Sequence, residues 1–188
     1  MEWNPTRLFV PVEATPSLND PANADEFYRA LGIAMVAWGR LEGHFISGLL
    51  LIINIRDHDN EGARLPMKWE RQAELWNSAF EKMHALKPLQ DEAHDFLKQM
   101  NELTQIRNAF SHALWEKFFA EPPIGMSFKS VRPKPGTGDT ILVRVGGMTA
   151  NGLLEFAQRA GELNFKLVRL TDALSELRGI APPGAAIL

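Results

Sequence analysis

The chain contains no cysteine among its 188 residues. Disulfides, thiol catalysis and cysteine-based zinc or iron–sulfur sites are therefore excluded. A large excess of charge of one sign is also missing, because 20 basic side chains stand against 23 acidic ones, for a formal net charge of −3. This balance argues against a protein that coats polyanions generally, although it leaves room for a local basic patch.

The sequence also lacks a recognisable targeting or membrane segment. Its opening stretch, MEWNPTRLFVPVEATP, is broken by prolines and shows no basic-then-apolar signal pattern. The longest apolar run, Ile46–Ile53 with one serine and one glycine, is too short to cross a bilayer. We therefore expect a cytoplasmic protein with no membrane partner.

Apolar residues recur at alternating spacings of three and four over four stretches, which predicts four amphipathic helices. An extended arm is expected over residues 1–24 and a loose tail over residues 179–188. Between the third and fourth helices, two short β-type runs flank the turn-forming sequence RPKPGTGD and predict a hairpin at about 125–147. The expected domain, residues 25–178, is all-α: an antiparallel four-helix up-down bundle with a β-hairpin inserted between the third and fourth helices.

Two charged residues stand in the predicted apolar lines of helices. The line of the first helix comprises Leu31, Met35, Trp38, Glu42, Phe45, Leu49 and Ile52. That of the third helix comprises Leu89, Ala93, Phe96, Met100, Leu103, Arg107, Phe110 and Leu114, and we expect this helix to continue until Pro122-Pro123. A charge in such a line is costly unless it is paired or reached by solvent or ligand.

Glu42 and Arg107 could pair. In an up-down bundle the first and third helices run in the same direction, and both residues would lie about 25–30 Å along them. Glu42 would then orient Arg107 toward an anionic group. The alternative is that both side chains cover the core with their stems and reach water with their charged ends.

The stretch ELTQIRNAFSHALW, Glu102–Trp115, holds the main candidate site. Asn108 and His112 are four residues apart and share a helix face. Arg107 and His112 are five apart, which is about 140° around an unbroken helix. They can converge if the helix is interrupted near Asn108–Ser111, whose residues are weak helix formers, or if a second subunit contributes one of them.

Arg107-Asn108, three further residues and His112 resemble the Arg–(four to six residues)–His motif of HEPN domains, which often have a polar residue after the arginine. The segment WGRLE, Trp38–Glu42, resembles the aromatic–Leu–Glu segment in the first long helix of many HEPN-like bacterial proteins. The motif stands late in the third long helix, as it does in that family. The resemblance covers about residues 25–177.

This resemblance implies a metal-independent endoribonuclease without a cofactor, frequently a homodimer whose two motifs face one cleft. His112 would act as general acid and base, Arg107 would hold the scissile phosphate, Asn108 would orient the phosphate or the histidine, and Glu42 would support Arg107. The products would be a 2′,3′-cyclic phosphate and a 5′-hydroxyl. A role as a toxin or in phage defence follows, with a cognate antitoxin or partner protein.

The resemblance leaves one alternative open, because many HEPN proteins are catalytically inactive. Such a module would bind RNA, a nucleotide or a partner protein. HEPN toxins controlled by a nucleotidyltransferase usually carry a tyrosine two residues after the histidine. Here that position is Leu114, so the resemblance does not extend to that control.

A second RNA-binding surface is predicted on the hairpin. Its basic residues, opposed in sequence by Asp139 alone and interleaved with Phe128, are Lys129, Arg132, Lys134 and Arg144. Such a patch would give salt-dependent binding to the RNA backbone. A solvated hairpin with ordinary surface charges is the alternative.

No metal site is expected. Glu81 and His84 have the Glu-x-x-His spacing of di-iron bundles, but only Asp91 and His94 approach a second copy. These groups lie off the predicted apolar lines, so they are expected to face solvent.

Overall fold

Helices make up most of the described chain. The structure is a computed structural model that describes residues 9–10, 24–56, 64–119, 123–133 and 140–177; for residues 9–10, 56, 114, 130–133 and 140–145 it describes the backbone alone. The helices are α1 (Ala24–Arg56), α2 (Trp69–Lys82), α3 (Gln90–Ser111) and α4 (Ala150–Leu177), and a 3-10 helix, His84–Leu89, leads into α3. The predicted helical class is therefore confirmed. The predicted tail lies outside the described residues, as does the predicted arm apart from Phe9, Val10 and Ala24.

A small antiparallel sheet accompanies the helices and is larger than the single predicted hairpin. Its strands are β1 (Phe9–Val10), β2 (Leu114–Phe118), β3 (Gly125–Pro133) and β4 (Thr140–Thr149), in the order β1-β4-β3-β2. β3 and β4 pair over the span of the predicted hairpin, and β2 and β1 extend the sheet on either side. The register shifts after Phe128, opposite Gly146, whose φ of 135° favours glycine.

The chain divides into two compact units. The first comprises Met1–Trp38 and Asn101–Ala160, and contains the sheet. Its aromatic core includes Phe27, which packs edge-on against Trp115 and Phe118, and Phe110, which packs edge-on against Phe156. These contacts fix the end of α3 and the start of β2 within this unit.

The second unit comprises Gly39–Met100 and Gly161–Leu188. Its core is a cluster of tilted rings whose centroids lie 5.0–5.8 Å apart, formed by Phe45, Trp69, Trp76, Phe80 and Phe96. All but Trp69 are fully buried. Burial of such large aromatic side chains is the main favourable term for this unit.

Within the second unit, α1 and α4 run in parallel. His44 of α1 hydrogen-bonds Asn164 of α4 at 2.7 Å, and Gly48, one turn later, faces Thr171. The contacts thus advance along both helices together. The up-down bundle requires these two helices to be antiparallel, so that part of the prediction is wrong.

α3 and α4 are antiparallel in the same unit. Arg169 pairs with Glu92 at 3.5 Å, and Lys166 pairs with Asp95 at 3.0 Å, so the contacts advance along one helix and retreat along the other. α3 therefore opposes α1 as well, whereas the prediction had them running the same way. α2 is much the shorter helix: its 14 residues span about 21 Å, against about 50 Å for the 33 residues of α1.

α1 also has a length and composition sufficient to cross a bilayer, over Ala24–Ile55. Uninterrupted apolar runs, on which the expectation of no membrane segment rests, are too short to span a bilayer. Core helices of soluble proteins and signal sequences pass the same criterion, and 39% of the most apolar window of this helix is buried. The criterion alone therefore does not assign α1 to a membrane.

Candidate functional site

Arg107 lies at the edge of the buried face of α3, not within it. The buried apolar residues of this helix are Ala93, Phe96, Leu97, Met100, Leu103, Ile106 and Phe110. Ile106 therefore takes the interior position that the spacing had given to Arg107, which is half-buried. This position gives a long side chain both a packed stem and access to the surface.

The guanidinium of Arg107 lies over the indole of Trp38. Its Cζ atom is 5.0 Å from the ring centroid, and Trp38 itself is only 3% exposed. Such a cation–π contact contributes about 0.5–2 kcal/mol, depending on desolvation. The rigid, buried ring therefore provides a platform that orients the charged group at the end of α3.

His112 follows directly after α3 and is exposed, as is Asn108. The helix ends at Ser111 and β2 begins at Leu114, so the prediction of a helix continuing through Leu114 is wrong. The predicted interruption within Asn108–Ser111 is also absent, and the amide of His112 still donates to the carbonyl of Asn108 at 3.3 Å. His112 lies five residues after Arg107 and just beyond the end of α3, and helical spacing does not place the two on one face.

Glu42 is exposed, which corrects its predicted place in the apolar line of α1. Leu41 is fully buried and holds the interior position between Trp38 and Phe45. The burial cost that first suggested a partner for Glu42 is therefore smaller than the spacing implied. Its pairing with Arg107 stays a prediction.

Two further polar groups beside Arg107 were not anticipated. The Nε1 atom of Trp38 and the Oγ atom of Ser111 are buried, and neither has a hydrogen-bond partner among the residues that the structure describes. Ser111 is four residues after Arg107 and so shares its face of α3. That spacing was the available signal in the sequence, whereas the burial of the hydroxyl depends on tertiary packing.

Neighbouring residues reduce the positive charge and the aromatic surface that the predicted basic patch could offer to RNA. Lys129 forms an ion pair with Glu116 of the adjacent strand at 2.5 Å, and Phe128 is fully buried, edge-on to Trp115 at 5.1 Å. Phe128 is therefore part of the core and not a stacking platform for bases. The side chains of Arg132 and Arg144, and the whole of Lys134, lie outside the described residues.

A cleft of about 510 Å³ lies elsewhere in the first unit. It is lined by Asp25, Glu26, Arg29, Ala30, Ile33 and Leu154. Its two carboxylates outnumber its single guanidinium, so its charge disfavours a phosphate. None of the predicted site residues lines it.

The Glu-x-x-His spacing of Glu81 and His84 does not form a ligand set. Glu81 and His84 are exposed, and His94 approaches Glu81 at 3.5 Å near the surface. Within the described part of the chain, no three side chains among histidine, aspartate and glutamate are grouped closely enough to hold a metal ion.

The HEPN resemblance therefore depends on Arg107, Asn108 and His112 themselves, together with their place at the end of the third long α-helix. Comparison with known proteins supplies no relative, since no family model, no curated protein and no solved structure matches this chain.

Proposed function

We propose that this chain is a cytoplasmic, metal-independent endoribonuclease of the HEPN type, active in a toxin or phage-defence setting, and that the end of α3 is its active site. The observation that carries this proposal is the guanidinium of Arg107 held 5.0 Å over the buried ring of Trp38, with exposed Asn108 and His112 on the following residues. A half-buried, oriented guanidinium suits a phosphate, which it binds through paired hydrogen bonds.

The reaction needs one base, one acid and one anion-binding group. His112 accepts the proton of the ribose 2′-hydroxyl, and the 2′-oxygen attacks phosphorus as the bond to the 5′-oxygen breaks. The proton then passes to that leaving oxygen, which gives a 2′,3′-cyclic phosphate and a 5′-hydroxyl. Arg107 stabilises the charge that develops on the phosphate, and Asn108 orients the phosphate or the imidazole. Histidine suits the proton transfers because its ordinary pKa lies near neutrality.

A homodimer is part of the proposal. Arg107 and His112 are five residues apart, a spacing that does not place them on one helix face, so in the proposed dimer His112 of one copy and Arg107 of the other act on the same phosphate. Glu42, which belongs to the same helix as Trp38, is proposed to support the guanidinium. The partner protein implied by a toxin or defence role would act by covering this site.

The decisive experiment is cleavage of a mixed RNA substrate by the purified protein in the presence of a metal chelator. His112→Ala should lower the rate by about 10²- to 10⁴-fold, the usual contribution of general acid–base catalysis. His84→Ala is the matched control, because His84 is an exposed histidine outside the proposed site. If His112→Ala cleaves RNA as fast as the wild type, the activity belongs elsewhere and the proposal fails.

A catalytically inactive binding module is the second candidate. The same spacing of Arg107 and His112 favours it in a monomer, because a single chain then lacks a complete acid–base and phosphate-binding pair. If the chain is such a module, the wild type should bind RNA without cleaving it, and Arg107→Ala should weaken the binding. Gel-shift and cleavage assays on one preparation separate the two candidates.

A further inference from the structure

One face of α1 presents apolar side chains to solvent in the first unit. Tyr28, Ile33, Met35 and Val36 are 40–57% exposed, and Val36 is the most exposed of them. Gly32, in the middle of the stretch, has nothing within 4 Å of an added Cβ atom. These five residues are here called the open face of α1. Contiguous exposed apolar surface of this kind is typical of an interaction site.

A cleft of about 510 Å³ adjoins the open face, since Ile33 belongs to both. Three apolar and three charged side chains line it: Ala30, Ile33, Leu154, Asp25, Glu26 and Arg29. Two carboxylates against one guanidinium give the cleft a negative balance. Such a cleft fits a long side chain with an apolar stem and a cationic end, because the stem packs on the apolar walls and the carboxylates bind the cation. Arginine has this form.

Acidic and basic residues stand at opposite ends of the open face. Asp25 and Glu26 lie in the first turn of α1. Arg40 is exposed one turn beyond Val36 and shares its side of the helix. Arg29 is the one further charged residue at an exposed position between these ends. A helix that is acidic at one end and basic at the other complements a reversed copy of itself, because each end then meets the opposite charge.

A second copy of α1 therefore fits the open face in the antiparallel direction. Arg40 follows Asp25 by 15 residues and Glu26 by 14, so a two-fold axis midway between them crosses the helix at Gly32–Ile33. Each Arg40 then lies opposite the cleft of the other copy. The open space at Gly32 allows the two helices to approach closely at the axis. The same surface is used by both copies, as a two-fold interface requires.

We propose that two copies of this chain associate through the open face of α1, antiparallel about this axis, and that Arg40 of each copy enters the cleft of the other. Its stem packs against Ile33 and Leu154. Its guanidinium pairs with the carboxylates of Asp25 and Glu26. The inference rests on the proposed function in one respect, since it supplies the homodimer on which the shared active site depends.

This pairing leaves both candidate sites on one side of the dimer. Leu154 of α4 lines the cleft with Ile33, whereas Phe118 of β2 lies beside Tyr28, with ring centroids 5.8 Å apart. Ile33 and Tyr28 are about 140° apart around α1, so α4 and β2 lie on opposite flanks of the open face. A two-fold axis at right angles to both helices keeps each flank on the same side of the pair. The ends of α3, which lead through His112 into β2, therefore share one side, as a site built by two copies requires.

A lipid bilayer is the other surface that an exposed apolar helix face contacts. Helices that lie on membranes carry mainly basic residues beside their apolar face, because the membrane surface is anionic. Beside the open face, Asp25 and Glu26 balance Arg29 and Arg40. This balance favours a second copy of the chain over a bilayer.

The first test measures association of the full chain by sedimentation equilibrium. Val36→Glu places a carboxylate in the middle of the interface and should raise the dimer dissociation constant about thirtyfold or more, as a central interface position does. Leu50→Glu is the matched control, because Leu50 is 44% exposed on α1 but lies beyond the paired segment. Far-UV circular dichroism checks that both variants fold.

Two results of this test overturn the inference. One is a dimer that Val36→Glu leaves as stable as the wild type. The other is a wild type that stays monomeric at all concentrations. In that case, co-sedimentation with phosphatidylglycerol vesicles that Val36→Glu abolishes would identify a bilayer as the occupant of the open face.

Opposite charge reversals test the register of the two helices. Arg40→Glu makes both ends of the face acidic, whereas Asp25→Arg combined with Glu26→Arg makes both ends basic. Each variant alone should dissociate about tenfold more readily, because the exposed ion pairs at both ends of the dimer give way to like charges. An equal mixture should associate as tightly as the wild type, since every charge then meets its opposite. A mixture that associates no more tightly than the separate variants overturns the inference.

The interface and the proposed activity fail separately. Dimerisation through α1 in a protein that cleaves no RNA supports the interface and overturns the ribonuclease. RNA cleavage that depends on His112, in a protein whose association is unaffected by Val36→Glu and by the charge reversals, supports the ribonuclease and overturns the interface.

Discussion

The guanidinium of Arg107 is both charged and planar. Its contact with the Trp38 ring depends on the planar shape as much as on the charge. Arg107→Lys retains the positive charge but loses the flat group that stacks on the indole and the fork that binds a phosphate through two bonds. We expect RNA cleavage to fall by about tenfold or more, since one strong charged hydrogen bond contributes about 1.5–3 kcal/mol. Initial rates at saturating and limiting RNA measure the loss.

The matched control is Arg71→Lys, because Arg71 is 71% exposed and pairs only with Glu74 on the surface of α2 among the residues described. It should leave cleavage unchanged. Equal rates for Arg107→Lys and the wild type mean that the fork and the stack of Arg107 do not matter to the reaction.

The burial of individual residues was the property of the site that the sequence predicted least well. The spacing placed Glu42 and Arg107 in apolar lines, whereas their neighbours Leu41 and Ile106 are the buried residues. Adjacent helical residues differ by about 100°, and an apolar face is at least that wide, so periodicity cannot separate its centre from its edge. Only the tertiary contact with Trp38 reveals how far Arg107 is buried.

At the scale of elements, Thr149 caps the start of α4. Its Oγ1 accepts a hydrogen bond from the amide of Gly152 at 3.0 Å, and the side chain is buried. Thr149→Ala should cost about 1 kcal/mol of unfolding free energy, because one amide in the first turn loses its acceptor. Urea denaturation followed by circular dichroism measures this change. Thr149→Ser keeps the oxygen and should lie close to the wild type; if both variants lose equally, the cap is not the cause.

Two glycines of α1 differ in how closely other residues pack around them. A Cβ added at Gly48 would lie 2.9 Å from Cζ3 of Trp76 and 3.0 Å from Cγ2 of Thr171, whereas one added at Gly43 meets nothing within 4 Å. Gly48→Ala should therefore destabilise the protein by about 1–3 kcal/mol through overpacking. Gly43→Ala should stabilise it by up to about 1 kcal/mol through helix propensity. The same urea titration compares them, and shifts of the same sign would contradict this reading of the packing.

The boundary between α3 and β2 shows where local pattern stops being informative. Leu114 continues the apolar spacing of α3, yet it begins a strand that pairs with β3, with Leu114 opposite Lys129 and Trp115 opposite Phe128. Those partners lie more than ten residues away in sequence. A short apolar run is compatible with a helix end or a strand, and here the long-range pairing decides. By contrast, β3 and β4 begin only fifteen residues apart, and a turn sequence lies between them. Their pairing was therefore predictable from the sequence.

At the scale of the whole molecule, the directions of the helices were the part of the fold that the apolar spacing did not predict. Four helices were predicted, and the up-down order came from the bundle class and not from any residue pattern. α2, at 14 residues, is less than half as long as α1, at 33. α2 contributes Trp76 and Phe80 to the ring cluster of the second unit, and α3 runs antiparallel to α4 there.

Whether one chain or two build the active site can be tested by mixing two inactive variants. Arg107→Ala and His112→Ala each remove one group. If the site combines Arg107 of one copy with His112 of the other, a mixed dimer has one intact site, and an equal mixture in which subunits exchange freely should recover about a quarter of wild-type activity. Each variant alone should stay inactive.

If the site lies within one chain, the mixture stays inactive too, and light scattering on the same samples shows whether the subunits associate at all. A mixture of dimers that exchange subunits yet recover no cleavage would place both groups in a single chain, and His112 would then have to reach Arg107 by movement at the end of α3.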